Sequence, residues 1–242
     1  MKKRYTNPET VLFKYADDST ILSPTARDRD PSADLVGEKK FLTWCKDNKM
    51  VCNPCKCKEL VVRKKNHNVL YSPINNIPQC NSFVLLGVTL QSNGKFNEHV
   101  RSKLVKANKC LHVLRTLKKE HYSQAEIDHL FISIVLPNFS YALSGYGASE
   151  YDLTVIQNFL DRCHKRRFIS FPVSIKDLLN KQDRNILNKL ISTDCHPLKD
   201  IIPVQRTYVH NLRTKGCARP KINTQRFMNS FVNRLIFKLH LS

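Results

Sequence analysis

Downstream of Gly94, apolar residues recur at Val100, Leu104, Ala107, Leu111, Leu114 and Leu117, at intervals of four, three, four, three and three. That rhythm matches the α-helical turn and lays all six side chains along one stripe. A helix with such a stripe is stable only when other apolar elements pack on it. Asn97 is the expected N-cap. The next candidate partner opens at Ser123-Gln124-Ala125-Glu126, a capping-box pattern, with Ile127, Leu130, Phe131 and Ile134 facing inward until Pro137 interrupts. Ser149 and Asp152 start another helix carrying Leu153, Ile156, Leu160 and Cys163. Two shorter helical pieces are expected at 175–179 and 186–191.

Upstream of Gly94 the pattern is different. Val11 to Tyr15 and Ser19 to Leu22 are β-prone runs around Ala16-Asp17-Asp18, so a β-hairpin with two carboxylates at its tip is expected. A polar loop over 24–31 leads to a predicted helix over 33–49. Ser32 or Asp34 would cap it, Leu35, Leu42 and Cys45 would share a face, and Trp44 lies close to that face. Asn53-Pro54 breaks the chain. Leu60-Val61-Val62 reads as a short strand and Phe83 to Leu90 as a second, ended by the turn signal Ser92-Asn93-Gly94. The expected fold class is therefore α+β, with a strand-containing part over 1–95 and a helical, basic part over 96–242.

The charge balance narrows the partners. Lys and Arg total 40 against 20 Asp and Glu, a formal net charge of +20. Such an excess repels itself unless an anion offsets it, and each phosphate neutralised releases condensed counterions. A membrane surface is the rival anion, but no stretch is apolar enough to span a bilayer. The start Met1-Lys2-Lys3-Arg4-Tyr5 also has no hydrophobic signal core after it. Nucleic acid, and no membrane, is the expected partner, in an intracellular setting that leaves nucleus and cytoplasm open. The tail adds Arg206, Arg213, Lys215, Arg219, Lys221, Arg226 and Arg234. Nine cysteines, an odd number, fit reduced thiols better than a disulfide framework. Cys52-x-x-Cys55 has a zinc-ligand spacing, yet Cys45, Cys52, Cys55 and Cys57 crowd one segment. Pairing with Cys163-His164 or Cys195-His196 would need long-range closure, so incidental thiols are the expectation.

Two adjacent aspartates repel unless a cation sits between them. Beside hydrophobic strands, such a pair points to Mg²⁺, which takes one or two carboxylates plus phosphate oxygens. A bare exposed Asp-Asp turn is the competing explanation. The surrounding sequence favours the metal. Phe13-Lys14-Tyr15-Ala16-Asp17-Asp18 resembles the Tyr/Phe-Ala-Asp-Asp signature of reverse transcriptases. Trp44 to Met50, with Asn53-Pro54 and Lys56 to Leu60, resembles the next palm element of non-LTR (LINE-like) retrotransposon enzymes. Phe83 to Val88 resembles their primer-grip hairpin with its Leu-Gly pair. Tyr141, Gln157, Arg166 and His196-Pro197-Leu198 fall where the family's thumb and post-thumb regions carry similar residues. Arg226 to Phe231 resembles the common ending of such reading frames.

The resemblance implies the end of a polymerase palm, with β-hairpins and one helix, followed by a mainly helical thumb-like region. By position, Asp17, Asp18 and Lys56 would be catalytic, Asp17 and Asp18 holding Mg²⁺ and Lys56 protonating or neutralising the departing pyrophosphate, with a solvated surface lysine as the competing explanation for Lys56. Tyr15 would lie near the primer terminus. Leu86 and Gly87 would position the primer strand, and Arg166 and Arg167 would contact nucleic acid. The implied partners are an RNA template and DNA primer as an RNA–DNA hybrid, with deoxynucleotides only where an upstream palm is supplied. That upstream palm carries the family's further metal-binding aspartate. Here no aspartate precedes Asp17 and Glu9 is the sole earlier carboxylate, so these residues alone are expected not to polymerise, because a two-metal site needs ligands from several elements. The competing readings are a non-catalytic basic module binding RNA or an RNA–DNA hybrid, and a retroelement relic with no function.

Overall fold

The computed structural model describes residues 11–23, 42–63, 73, 77–193, 196, 198, 221–222 and 224–238. The fold is α+β: two small antiparallel hairpins and a series of helices. The chain divides into two compact units, Met1–Val84 with Leu90–Gly94, and Leu85–Thr89 with Lys95–Ser242.

In the first unit, β1 (Val11–Tyr15) pairs with β2 (Asp18–Leu22) in the register Val11↔Leu22 to Tyr15↔Asp18. Of the helix expected over 33–49, residues 42–47 are helical, and 33–41, with Leu35 and both proposed caps, lie outside the described residues, as does the loop over 24–31. Cys45 on that helix is buried, which raises its thiol pKa, with Cys52 adding and Lys14 opposing. A 3₁₀ turn follows at Pro54–Lys56.

The strand expected at Leu60-Val61-Val62 does not form. Pairing there is a single parallel bridge, Glu59↔Gln79, made by Glu59 N–H on the Pro78 carbonyl (3.1 Å) and Cys80 N–H on the Glu59 carbonyl (2.9 Å). β-propensity cannot make a strand without a neighbouring ladder to continue. The single strand expected over 83–90 is instead a hairpin, β3 (Ser82–Leu85) and β4 (Val88–Gln91). Leu86 (φ 47°) and Gly87 (φ 79°) form its turn. Positive φ at both central residues is the hairpin geometry whose twist matches the strands, and Gly87 enters it without a Cβ penalty.

In the second unit, α1 (Asn97–Lys119) buries His99, Val100, Ala107, Leu111 and Leu114, most of the apolar stripe. Asn97 is not its cap. Phe96 holds that place with no side-chain bond, and Glu98 supplies negative charge to the first turn. The expected capping box opens α2 (Gln124–Leu130), where Ser123 Oγ accepts from Glu126 N–H (3.3 Å) and Glu126 accepts from Ser123 N–H (2.8 Å). The chain continues as a π-turn, Phe131–Val135, before α3 (Pro137–Ser140). Pro137 has no N–H to continue the ladder. Asn138 Nδ2 donates to the Ile134 (2.8 Å) and Val135 (3.2 Å) carbonyls beside it.

After α4 (Leu143–Tyr146), helix α5 (Glu150–Lys165) starts on Ser149 as expected, with Leu153, Ile156, Leu160 and Cys163 buried. The two pieces expected at 175–179 and 186–191 are one helix, α6 (Ile175–Ser192). A buried Asp183 sits at its middle. Gln157 joins α5 to its start, accepting from Ile175 N–H (3.0 Å) and donating to the Val173 carbonyl (3.0 Å). Two short helices close the described part, α7 (Gln225–Met228) and α8 (Phe231–Lys238), with Leu235 packed on Leu187 and Leu190 of α6. The main core joins Ala107, Leu111 and Leu114 to Phe131, Val135, Phe139, Ile156 and Phe159. No helix among the described residues is long and apolar enough to cross a membrane.

Candidate functional site

With Tyr15 opposite Asp18, only Ala16 and Asp17 remain to turn the first hairpin. Ala16 takes φ 52°, a conformation glycine usually fills, so the tip is strained beside the two carboxylates. Side chains alternate along a strand and opposite residues share a face. Val11, Phe13 and Tyr15 therefore share one face with Leu22 and Asp18, and all five are exposed, Tyr15 at 68%. Lys14, on the other face, reaches residues 42–50. Its Nζ lies 5.4 Å from the centre of the Trp44 ring and 3.7 Å from Met50 Sδ. The hairpin thus leans on that segment with one face, and the face bearing Asp18 meets solvent.

Asp17 and Asp18 present hard oxygen donors at an exposed tip, the donor type Mg²⁺ takes. Among the described residues no group of three or more His, Cys, Asp or Glu side chains is placed to hold a metal. Lys56 ends a separate exposed turn of the same unit, and no ion pair joins it to Asp17 or Asp18.

Leu86 and Gly87 come together with a residue from far along the chain. The Tyr141 hydroxyl donates to the Leu86 carbonyl (2.7 Å), and a Cβ on Gly87 would stand 3.2 Å from Tyr141 Cε1. Lys103 Nζ sits 5.5 Å from the Tyr141 ring centre. His99 secures the same hairpin, its Nδ1 accepting from Thr89 N–H (3.1 Å) while its ring meets Tyr146 edge-on at 4.9 Å.

Burial, followed by Lys103 and Lys106, lowers the His99 pKa from 6.5 to about 4. A histidine disfavoured as a cation in the fold contributes stability that is present above pH 6.5 and lost as pH falls toward 4. The expected loss is about 2 kcal/mol between pH 8 and pH 5. Urea titrations across that range should show His99→Gln flattening this step. Parallel curves for the two proteins would remove His99 as its source.

Arg166 and Arg167 stand where α5 ends. Phe168 N–H donates to the Cys163 carbonyl (2.9 Å) and Arg167 N–H to the His164 carbonyl (2.9 Å). This is a Schellman-type stop, with Arg167 at φ 55° in the place glycine normally fills. Lys118 from α1 donates to the Arg166 (3.5 Å) and Arg167 (2.8 Å) carbonyls, placing a cation at the negative helix end. Lys118 Nζ and the Arg115 guanidinium lie 5.4 Å and 5.8 Å from the centre of the buried Phe168 ring. Arg115, Arg162 and Arg166 also surround Cys163, yet burial dominates and pushes its thiol up to about 11. Arg115, Arg162, Arg166 and Arg167 are all exposed. Arg166 and Arg167 are the pair that the resemblance implies, and the structure brings Arg115, Lys118 and Arg162 to the same helix end. In sequence, the helical spacings 115 with 118 and 162 with 166 put these cations on shared helix faces.

Of the basic tail, Arg206, Arg213, Lys215 and Arg219 lie outside the described residues, as do Cys195 and Pro197. Arg234 is buried in an ion pair with Asp183, which withdraws it from any phosphate. Comparison with known protein families, characterised proteins and solved structures finds no match to this chain.

Proposed function

We propose that this chain is the C-terminal part of an RNA-directed DNA polymerase of the non-LTR retrotransposon kind, inactive by itself. The observation that carries this reading is the Asp17–Asp18 pair at a strained, exposed hairpin tip. The face bearing Asp18 also exposes Val11, Phe13 and Leu22, a stripe that a further sheet element would cover. Asp17 and Asp18 would hold Mg²⁺ as part of a site completed by a carboxylate from another element. Bound there, the ion neutralises phosphate charge. Tyr15, on the same face, would line the primer terminus. Lys56 would reach the pyrophosphate from its own turn. The Leu86–Gly87 turn, held by Tyr141 and His99, would support the primer backbone. Arg115, Arg162, Arg166 and Arg167 would bind phosphates of the RNA–DNA hybrid.

A second reading, a non-catalytic basic module for RNA or hybrid, is favoured by the exposed arginines Arg115, Arg162, Arg166 and Arg167. Joining the chain behind the fingers and early palm of an active LINE-like enzyme separates the two. The polymerase reading expects templated primer extension that Asp17→Asn abolishes. A fusion that binds hybrid without extending it would leave only the binding reading, and extension that survives Asp17→Asn would remove Asp17 from the chemistry.

A further inference from the structure

We propose that Cys52 and Cys57 are an oxidisable dithiol, a modification site at which a hydroperoxide-class oxidant closes a disulfide around the turn that carries Lys56. Spacing alone points to Cys52-x-x-Cys55, but the fold pairs different sulfurs. Asn53 arranges the turn: its Oδ1 accepts from Cys55 N–H (3.1 Å), and its carbonyl accepts from Lys56 N–H (3.1 Å) and from the Cys57 thiol (3.4 Å). The chain after Lys56 is thereby folded back onto its start. Cys52 Sγ and Cys57 Sγ lie 3.6 Å apart, both half-buried, while Cys55 is exposed.

At 3.6 Å the sulfurs are already in van der Waals contact, and side-chain rotation must close the remaining distance to a bond of about 2.05 Å. The chemistry balances with one hydrogen peroxide, the simplest member of that class. One thiolate attacks a peroxide oxygen, the O–O bond breaks, and water leaves with a sulfenic acid formed on that cysteine. The second thiol attacks the sulfenic sulfur, forming the S–S bond and releasing a second water. Two cysteine sulfurs are oxidised, both peroxide oxygens are reduced to water, and the two thiol protons end in those waters. A thiol reductant reverses the bond.

Cys55 faces solvent, and Cys45, although electrostatically coupled to Cys52, is buried. The bond would enclose Asn53 to Lys56 in a small ring and restrict the turn that presents Lys56. Any effect on polymerisation rests on the reading of Lys56 given above, whereas the sulfur chemistry does not.

The test uses the full chain, reduced, treated with hydrogen peroxide, alkylated with iodoacetamide and digested with trypsin. Cleavage after Lys49, Lys56 and Lys58 should release peptides 50–56 and 57–58 joined by a disulfide, with Cys55 alkylated. Dithiothreitol should restore both alkylation sites. Cys57→Ser should abolish the joined peptides and Cys55→Ser should keep them. A Cys52–Cys55 ring inside peptide 50–56, a Cys45–Cys52 link, or two unlinked sulfinic acids would overturn the proposal. Because no step requires polymerase activity, the proposal can fail while the polymerase reading stands, or hold while that reading fails.

Discussion

Replacing Arg234 with alanine should destabilise the helical unit by about 3–5 kcal/mol, because it strands a carboxylate in the core. Arg234 is 2% exposed and binds Asp183 through both arms of its guanidinium, Nε to Oδ2 at 2.8 Å and Nη2 to Oδ1 at 3.0 Å. Nη2 also donates to the Ser144 carbonyl (2.6 Å), and Nη1 donates to the carbonyl of Asn229. One side chain thus ties α8 to α6 and to α4. Gly147 leaves room for it: a Cβ there would collide with Arg234 Nη1 and the Asn229 carbonyl, and φ of 52° suits glycine.

Removing the guanidinium leaves Asp183 with no charge partner and two backbone carbonyls without a donor. Arg234→Lys should recover little, since an ammonium cannot serve both carboxylate oxygens and the carbonyls from one point. Arg234→Met with Asp183→Leu should recover most of the loss, because an apolar pair of similar volume removes the stranded charge. Urea unfolding followed by circular dichroism measures all four proteins. A loss below about 1 kcal/mol for Arg234→Ala, the range of exposed ion pairs, would mean that the pair is hydrated in solution.

On the proposed reading, hybrid binding should collapse with salt, and the exposed arginines Arg115, Arg162, Arg166 and Arg167 should account for a defined share. Each phosphate contact contributes about −0.9 to the slope of log affinity against log salt on a duplex. Four contacts then cost about 150-fold in affinity between 50 and 200 mM salt. Substituting Arg115, Arg162, Arg166 and Arg167 together with alanine should make the slope shallower by about 3.6. Arg167→Gly is the cleaner single change. It places glycine at a left-handed position where arginine is strained, so stability should hold or rise by about 1 kcal/mol while the slope falls by about 1. Fluorescence anisotropy with a labelled RNA–DNA hybrid gives the slopes. An unchanged slope in the fourfold variant would move the phosphate contacts elsewhere on the chain.

The parts that could be read without a structure are those whose causes are local. The stripe from Val100 to Leu114 makes α1 because a period of 3.6 leaves those side chains one face to share. Ser123 and Glu126 start α2, and Ser149 starts α5, because a capping side chain satisfies backbone donors within three residues of itself. The Asp17–Asp18 hairpin follows from two β-prone runs around a short turn.

What only the tertiary structure decided are the places where the cause lies far along the chain. The pieces expected at 175–179 and 186–191 are one helix, and Asp183 between them is buried because its partner is Arg234, 51 residues away. Arg234 for the same reason reads as part of a phosphate-binding tail. Tyr141 meets the Leu86 carbonyl across 55 residues, and Lys118 caps Arg167 across 49. The Cys52–Cys57 pair is closer in sequence but depends on how Asn53 folds the turn. Periodicity reports which residues want burial, but a buried charge is tolerable only when its counter-charge arrives from another element. That pairing is a property of the packed chain, and no window of sequence contains it.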